Sequence, residues 1–197
     1  MRTEELKKAL GGAMRGEVSD DAETLKAASR DTSLFERMPA LVVSPRDAAD
    51  VSALVKTVGA LRQAQGERAN LSLTARSGGT DMSGGPLTTS VVVSFTEHMN
   101  HMGAVHLEAS LPSSDVGHRM SHIAGWAETE PGVLYRDFEK ATLEKGLILP
   151  SFPASREIAA MGGIVANNAA GERTLKYGQT EKYVEEVEVV LSDGSQA

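Results

Sequence analysis

The sequence contains no cysteine among its 197 residues. The chain can therefore form no disulfide, thiolate zinc site or iron–sulfur ligand, and it has no cysteine nucleophile or cysteinyl link to a cofactor. Long apolar runs are also missing, and none approaches the roughly 18 residues of a membrane-spanning helix. The N-terminal stretch MRTEELKKAL lacks the apolar core of a signal peptide. We therefore expect a cytoplasmic protein without a transmembrane segment.

The chain has fewer basic than acidic residues. The 20 Lys and Arg residues are outnumbered by 27 Asp and Glu residues, which gives a net charge of −7 and a pI near 5.3. This balance argues against nucleic acid or an anionic membrane as the main partner. The hydrophobic and charged fractions, 41% and 24%, are typical of a folded globular domain. The length suits one domain or two small lobes that share a core.

Two α/β units follow an N-terminal segment that resembles a helix broken by glycines. The first unit has a short apolar strand between prolines, a helix with one apolar face, a second strand, a glycine-rich loop and a third strand. The second unit has a strand that ends at Pro-Gly, an amphipathic helix, and a late segment that alternates Val with Glu. The predicted divisions are an N-terminal helical segment 1–37, lobe one 38–98, an insertion at about 99–126, and lobe two 127–197.

The late alternating segment 183–194 ends in Asp193-Gly194, a strong hairpin signal, with only three residues after it. A strand without a partner leaves its backbone groups unpaired, which is costly. We therefore expect the domain to be incomplete at its C-terminus. The alternative is an edge strand with a frayed tail.

The most informative stretch is ARSGGTDMSGGP, residues 75–86. Gly79 and Gly84 have the spacing of a nucleotide-triphosphate loop, but Gly85 and Pro86 stand where Lys and Ser or Thr are required, which argues against a triphosphatase. Glycine-rich backbone can still point successive N–H groups into one concavity that binds an anion. The alternative interpretation is a tight turn without a function.

Four motifs in order give a resemblance to a known family. RSGGTDMSGG (76–85) resembles the diphosphate loop of the FAD-linked oxidoreductases of the vanillyl-alcohol oxidase and p-cresol methylhydroxylase (PCMH) superfamily. The other three segments, each similar to a family motif, are EPGVLYRDFEKATLEKGLILPSFPAS (130–155), MGGIVANNAAG (161–171) and KYGQTEKYVEEVEVVLSDG (176–194). The most similar subgroup is formed by the D-lactate dehydrogenase and glycolate oxidase flavoprotein subunits.

The resemblance implies an α+β fold in which two α/β lobes clasp FAD, the PCMH-type FAD-binding fold, here incomplete at the C-terminus. It implies a diphosphate held by Ser77, Gly78, Gly79, Thr80, Asp81 and Gly84. It places the flavin and ribityl chain along Pro150, Ala154, Met161, Gly162 and Gly163, with Ala166, Asn167, Asn168 and Gly171 close by and Val187 beneath the cofactor. The Asp81 carboxylate must then point away from the diphosphate or cap a turn.

The implied activity is oxidation of a 2-hydroxy acid, of the D-lactate or glycolate type, by hydride transfer to FAD. In the family the catalytic and substrate-binding residues lie mainly in a separate C-terminal domain, so we assign no catalytic residue in this chain and expect it to be inactive alone. An electron-acceptor partner is implied but not identified. Thr80 stands where some members attach the flavin through histidine, which together with the absence of cysteine predicts non-covalent FAD.

One alternative function remains open, a non-catalytic module that binds a phosphate or nucleotide ligand, or a catalytically dead fragment of the same fold. A metal site is not predicted, although His118 and His122 have the i, i+4 spacing that metal sites use. The segment that holds them is interpreted as an insertion of unknown role. Trp126 is expected to pack in the core or between the lobes.

Overall fold

The computed structural model describes residues 2–65, 70–107 and 124–197. Lobe one is a four-stranded sheet in the order β1-β2-β4-β3. Strand β1 is antiparallel to β2, while β2, β4 and β3 are mutually parallel. The elements are α1 (Thr3–Ala13), β1 (Glu17–Ser19), α2 (Ala22–Ala28), β2 (Leu41–Ser44), α3 (Ala48–Gln65), β3 (Leu73–Arg76) and β4 (Val91–Ser94).

The central strands are apolar on both faces because helices cover both sides of the sheet. Leu10 of α1 and Leu54 of α3 pack against Val43 and Val91 on one face. On the other face, Ala28 of α2 packs against Val42 and Val92. These buried runs explain why β2 and β4 could be recognised from sequence.

Lobe two is built around a second core. It contains the antiparallel pair β5 (Met102–Leu107) and β6 (Gly125–Thr129), helices α4 (Tyr135–Leu143), α5 (Met161–Ala166) and α6 (Thr174–Tyr177), and a 3-10 helix at Thr180–Tyr183. Tyr135, Phe138, Phe152 and Ile164 form the centre of this core. The fold is mixed α/β, as the sequence predicted.

Several local predictions need correction. The predicted break at Gly11 and Gly12 is wrong, because α1 continues through both glycines. The segment 1–37 is also not wholly helical, because it contains β1, which pairs with β2. The described part of the predicted insertion 99–126 supplies β5, the partner of β6; residues 108–123 lie outside the described residues, so the insertion itself stays a prediction. Within the described residues, no strand forms over 183–194, because no neighbouring strand offers it a ladder.

The chain does turn at Asp193-Gly194, where Gly194 has φ +78°. The amide of Leu191 donates to the carbonyl of Ser195 at 2.8 Å, so the last three residues fold back on the preceding segment. The turn contacts lobe one, where the Ser52 hydroxyl of α3 donates to the Gly194 carbonyl. The C-terminal residues therefore pack against the first lobe.

Candidate functional site

A cleft of about 280 Å³ separates the glycine loop from α5. The loop leaves the carboxyl end of β3, and Phe95, just after β4, also lines the cleft. Ligands of parallel sheets bind at this edge, beyond the carboxyl ends of the strands. The predicted residues that line the cleft are Ser77, Gly78, Gly79, Thr80, Asp81, Gly162, Gly163, Ala166 and Asn167.

Beside the cleft, two glycines pack so closely against neighbouring residues that neither could carry a side chain. A Cβ at Gly78 would lie 2.5 Å from the carbonyl oxygen of Ile158 and 3.0 Å from the amide nitrogen of Ala160. A Cβ at Gly162 would lie 2.8 Å from the Ser77 hydroxyl oxygen. Glycine is required at 78 by the contact between the lobes, and at 162 mainly by Pro131 of the same lobe, whose Cβ would lie 2.6 Å and whose carbonyl oxygen would lie 2.9 Å from the added Cβ.

The glycine loop carries donors that its own fold does not use. In the described part of the chain, the amide groups of residues 77–80 donate to no other residue. Gly79 has φ +64°, which is the left-handed conformation that lets neighbouring amides converge. Unused N–H groups in a glycine-rich loop that lines a cleft fit an anionic group such as a diphosphate.

Asp81 caps the loop from within, which was one of its two predicted roles. Its Oδ2 accepts hydrogen bonds from the Ser83 hydroxyl at 2.7 Å and from the Gly85 amide at 2.7 Å. These bonds hold the pKa of the Asp81 carboxyl below its usual value. The carboxylate therefore stabilises the turn through these hydrogen bonds.

A turn of the N-terminal segment holds the loop from the other side. The Thr32 hydroxyl donates to the carbonyls of Thr80 and Asp81, both at 2.9 Å. The Arg76 guanidinium Nη2 donates to the Arg30 carbonyl at 2.8 Å. The site is thus positioned in part by residues that the sequence assigned to a separate segment.

A second cavity of about 430 Å³ lies on the outer side of the loop. Gly84, predicted to hold the diphosphate, lines this cavity and is absent from the lining of the first cleft. Its φ of +85° and the Phe35 ring beside it leave no room for a side chain. The residues around this cavity are Phe35, Arg37, Ser83, Gly84, Leu87, Thr88 and Thr89.

The remaining predicted site residues lie away from the lining of the cleft. Met161 and Pro150 are buried, Ala154 is exposed, and Val187 is 54% exposed. Asn168 exchanges hydrogen bonds with Glu181 at 2.9 and 3.0 Å. A Cβ at Gly171 would meet the Phe152 carbonyl. A contact between any of these residues and a cofactor stays a prediction.

Eight residues that line the cleft are not among the predicted site residues: Ala75, Arg76, Ser83, Gly85, Pro86, Phe95, Pro131 and Ala160. Three of them carry a lesson about the sequence signal. Arg76 stands inside the quoted loop, and its positive charge next to the glycines was the available signal. Pro131 belongs to the Pro-Gly turn after β6, which was read only as a turn. Phe95 follows β4, and its position at the carboxyl edge of a parallel strand was the available signal.

The histidines contribute nothing to the cleft as described. His118 and His122 lie outside the described residues, so the prediction of no metal site stays a prediction. Across residues 2–65, 70–107 and 124–197 there is no group of three potential metal ligands. Trp126 is not core, since it is 43% exposed and stacks on His106 with ring centroids 4.1 Å apart.

No helix in the described ranges is both long and apolar enough to cross a membrane.

The fold and the cleft define a class of protein, a flavin-binding domain. The family model described as "FAD binding domain" matches residues 39–197, and the chain belongs to this family, which lies within the superfamily that the motifs suggested.

Several proteins of known name are similar to this chain in sequence. The chain is 28% identical over 180 residues to D-2-hydroxyglutarate dehydrogenase of Pseudomonas putida, covering 91% of this chain and 16% of the relative. It is 31% identical to glycolate oxidase subunit GlcD of Bacillus subtilis, covering 83% and 30%. It is 32% identical to D-lactate dehydrogenase of Archaeoglobus fulgidus, covering 78% and 29%. The chain therefore spans less than a third of these relatives.

Solved structures agree on the fold. BBE-like 1 of Physcomitrella patens, as the variant D396N, superposes with a TM-score of 0.69 over 98% of this chain and 37% of that one, at 17% identity. At this identity the match concerns the fold alone.

Proposed function

We propose that this chain is the FAD-binding portion of a flavin-dependent oxidoreductase that oxidises a 2-hydroxy acid. The observation that carries the proposal is the cleft whose wall offers the unused amide groups of residues 77–80, in a chain that belongs to an FAD-binding family. Bound FAD would supply the hydride acceptor, while the protein binds and orients it. The names of the relatives support a 2-hydroxy acid as the substrate class.

The residues of the chain would do two things for the cofactor. The amides of 77–80 would bind the diphosphate, because oriented backbone dipoles satisfy phosphate oxygens without a lysine. Gly162 and Gly163 would let the cofactor lie close to the backbone of α5. We propose non-covalent binding, because Thr80 stands at the place of the attaching histidine and the chain has no cysteine.

The first test is FAD uptake by the purified chain. We expect it to become yellow with added FAD, and to release all of its flavin into solution when it is denatured with acid. Flavin that stays with the precipitated protein would contradict non-covalent binding. Failure of folded protein to take up FAD would overturn the proposal.

A matched pair of glycine variants tests whether FAD binds in the cleft. A Cβ at Gly163 would meet only Ser77 Cβ at 3.9 Å, so Gly163→Ala fits the fold while it narrows the cleft. We expect at least about a tenfold higher Kd for FAD, the equivalent of about 1.4 kcal/mol, measured by equilibrium dialysis.

Gly59→Ala is the control. Gly59 also lies in a helix, α3, and a Cβ there would meet nothing within 4 Å. This variant should bind FAD as the wild type does. Equal Kd values for the two variants would place the cofactor elsewhere.

Substrate chemistry is tested on the bound flavin. We expect the flavin to stay oxidised when D-2-hydroxyglutarate, D-lactate or glycolate is added to this chain without oxygen, because no residue in it is assigned to substrate. Bleaching of the flavin bands would show that substrate-binding residues lie within the chain after all.

A further inference from the structure

One charged side chain lies directly beneath the glycine loop. Arg76 is the last residue of β3, and its guanidinium is so close to Gly79 that a Cβ there would meet Nη2 and Cζ. The carbonyl of Arg30 holds Nη2 at 2.8 Å. The positive charge is therefore fixed beside Gly79, in the loop whose amide groups at 77–80 are unused.

This charge is incompletely neutralised by the protein. Among the described residues, no carboxylate lies within 4.0 Å of the Arg76 guanidinium, and its buried Nη1 has no hydrogen-bond partner. Burial lowers the pKa of Arg76, and the charge of Asp31 partly offsets this effect. Arg76 as a whole is half-buried, and a buried guanidinium nitrogen without a partner is costly, which raises the question of what compensates it.

We propose that Arg76 is a positioning residue for the cofactor, a half-buried positive charge that attracts the diphosphate through the loop while the backbone amides make the contacts. This inference rests on the proposed function and deepens it. Two charges several ångströms apart still interact appreciably near a protein surface, where the effective dielectric constant is about 20. Arg76 would thus supply from beneath the loop the charge that a lysine supplies in triphosphate loops.

Asp31 provides a second test, because removing its negative charge should change the affinity for FAD in the opposite direction to removing the positive charge of Arg76. Its charge acts on Arg76, and its Oδ2 is buried without a partner, whereas its Oδ1 accepts the Ser33 amide at 2.8 Å. Asp31→Asn keeps the Oδ1 acceptor and removes the negative charge. If the positive charge of Arg76 attracts the diphosphate and Asp31 weakens that attraction, this variant binds FAD more tightly than the wild type does.

The first experiment compares the Kd of FAD for Arg76→Gln and Arg76→Lys by equilibrium dialysis. We expect Arg76→Gln to weaken binding about 10- to 50-fold and Arg76→Lys to stay within about threefold of the wild type. Arg62→Gln, on α3 away from the cleft, is the control and should leave the Kd unchanged. Wild-type affinity in folded Arg76→Gln would overturn the inference.

The second experiment measures the same Kd for Asp31→Asn, with an expected tightening of about 3- to 10-fold. Asp193→Asn is a matched control, because Asp193 Oδ1 also accepts the amide two residues on, from Ser195 at 2.8 Å. It should not change the Kd. If Asp31 and Arg76 only shape the loop, Asp31→Asn weakens binding or leaves it unchanged, and either result overturns the inference.

These experiments separate the two proposals. If the wild type takes up no FAD, the proposed function fails. If the wild type binds FAD and the opposite effects of the Arg76 and Asp31 variants are not seen, only the role of Arg76 fails. Should Arg76→Gln not fold, as judged by circular dichroism, Asp31→Asn still decides the matter.

Discussion

At the scale of single residues, Asp50 shows how a buried charge can serve structure. Its side chain is 4% exposed, and its carboxylate accepts the backbone amides of Arg15, Gly16 and Arg46 at 3.0, 3.0 and 2.9 Å. It thereby ties the turn between α1 and β1 to the start of α3. Burial raises the pKa of Asp50, but the amide hydrogen bonds of Arg15 and Arg46 lower it more, so the net pKa lies below 3.8.

Replacing this carboxylate should therefore destabilise the protein. We expect Asp50→Asn to lower the free energy of unfolding by about 2–4 kcal/mol, because an amide offers one acceptor to three donors. Urea unfolding followed by circular dichroism measures the loss. Asp20→Asn is the control, since the ion pair of Asp20 in the described residues is with the partly exposed Lys7, and surface pairs contribute at most about 1 kcal/mol.

The acid dependence of stability follows from the same group. Because the folded pKa of Asp50 is lowered, its contribution is present above the ordinary value of 3.8 and is lost as the pH falls through the folded pKa. The wild type should therefore lose more stability on acidification below 3.8 than Asp50→Asn does. Parallel stability curves of the two proteins in acid would contradict this account.

At the scale of elements, apolar runs in the sequence were sufficient to predict the parallel strands β2 and β4, but not to predict short or unpaired strands. Strands β2 and β4 are unbroken apolar runs, and α3 has an apolar face, so each could be read locally. The three residues of β1 carry no pattern, since their pairing depends on the neighbouring β2. The Val-Glu alternation after Tyr183 predicted a strand for which no described neighbour provides a ladder.

Helix α1 gives the element-scale prediction, because it runs through Gly11 and Gly12 where a break was expected. A Cβ at Gly11 would make an ordinary contact with Val18, 3.9 Å away. We expect Gly11→Ala to raise the free energy of unfolding by about 0.5–1 kcal/mol, since glycine is a poor helix former. Denaturant unfolding measures the change.

Gly16→Ala provides the contrasting variant in the same segment. Its Cβ would collide with the backbone carbonyl of Ser44 on β2. We expect a loss of about 1–3 kcal/mol, because the strand pairing would have to shift. An equal response of the two glycine variants would contradict the described path of α1 and β1.

At the scale of the whole molecule, the order of the motifs predicted the family and the meeting of the glycine loop with α5. Sequence spacing could not reveal that Thr32 and Arg30 hold the loop, because these hydrogen bonds join residues 46 to 49 positions apart. It also could not separate Gly84 from the other glycines, since the two sides of one loop face different cavities. Contacts between distant segments decide both points.

A cofactor between two cores should couple their stabilities. We expect FAD at about 100 times its Kd to raise the free energy of unfolding by about 2.7 kcal/mol. The melting midpoints from Trp126 fluorescence, in lobe two, and from far-ultraviolet circular dichroism, to which α1 and α3 contribute, should rise together. A rise in only one signal would show that the ligand does not bridge the lobes, and Gly163→Ala should shift less at the same FAD concentration.

The hydrogen bonds from Thr32 to the loop have a consequence for how the boundaries of this domain are drawn. The family match begins at residue 39, so a protein trimmed to that limit would keep every glycine of both motifs. It would lose β1, the Leu10 contact and both anchors of the loop. A search by motif would score such a protein as intact, although the shape of its loop would no longer be enforced.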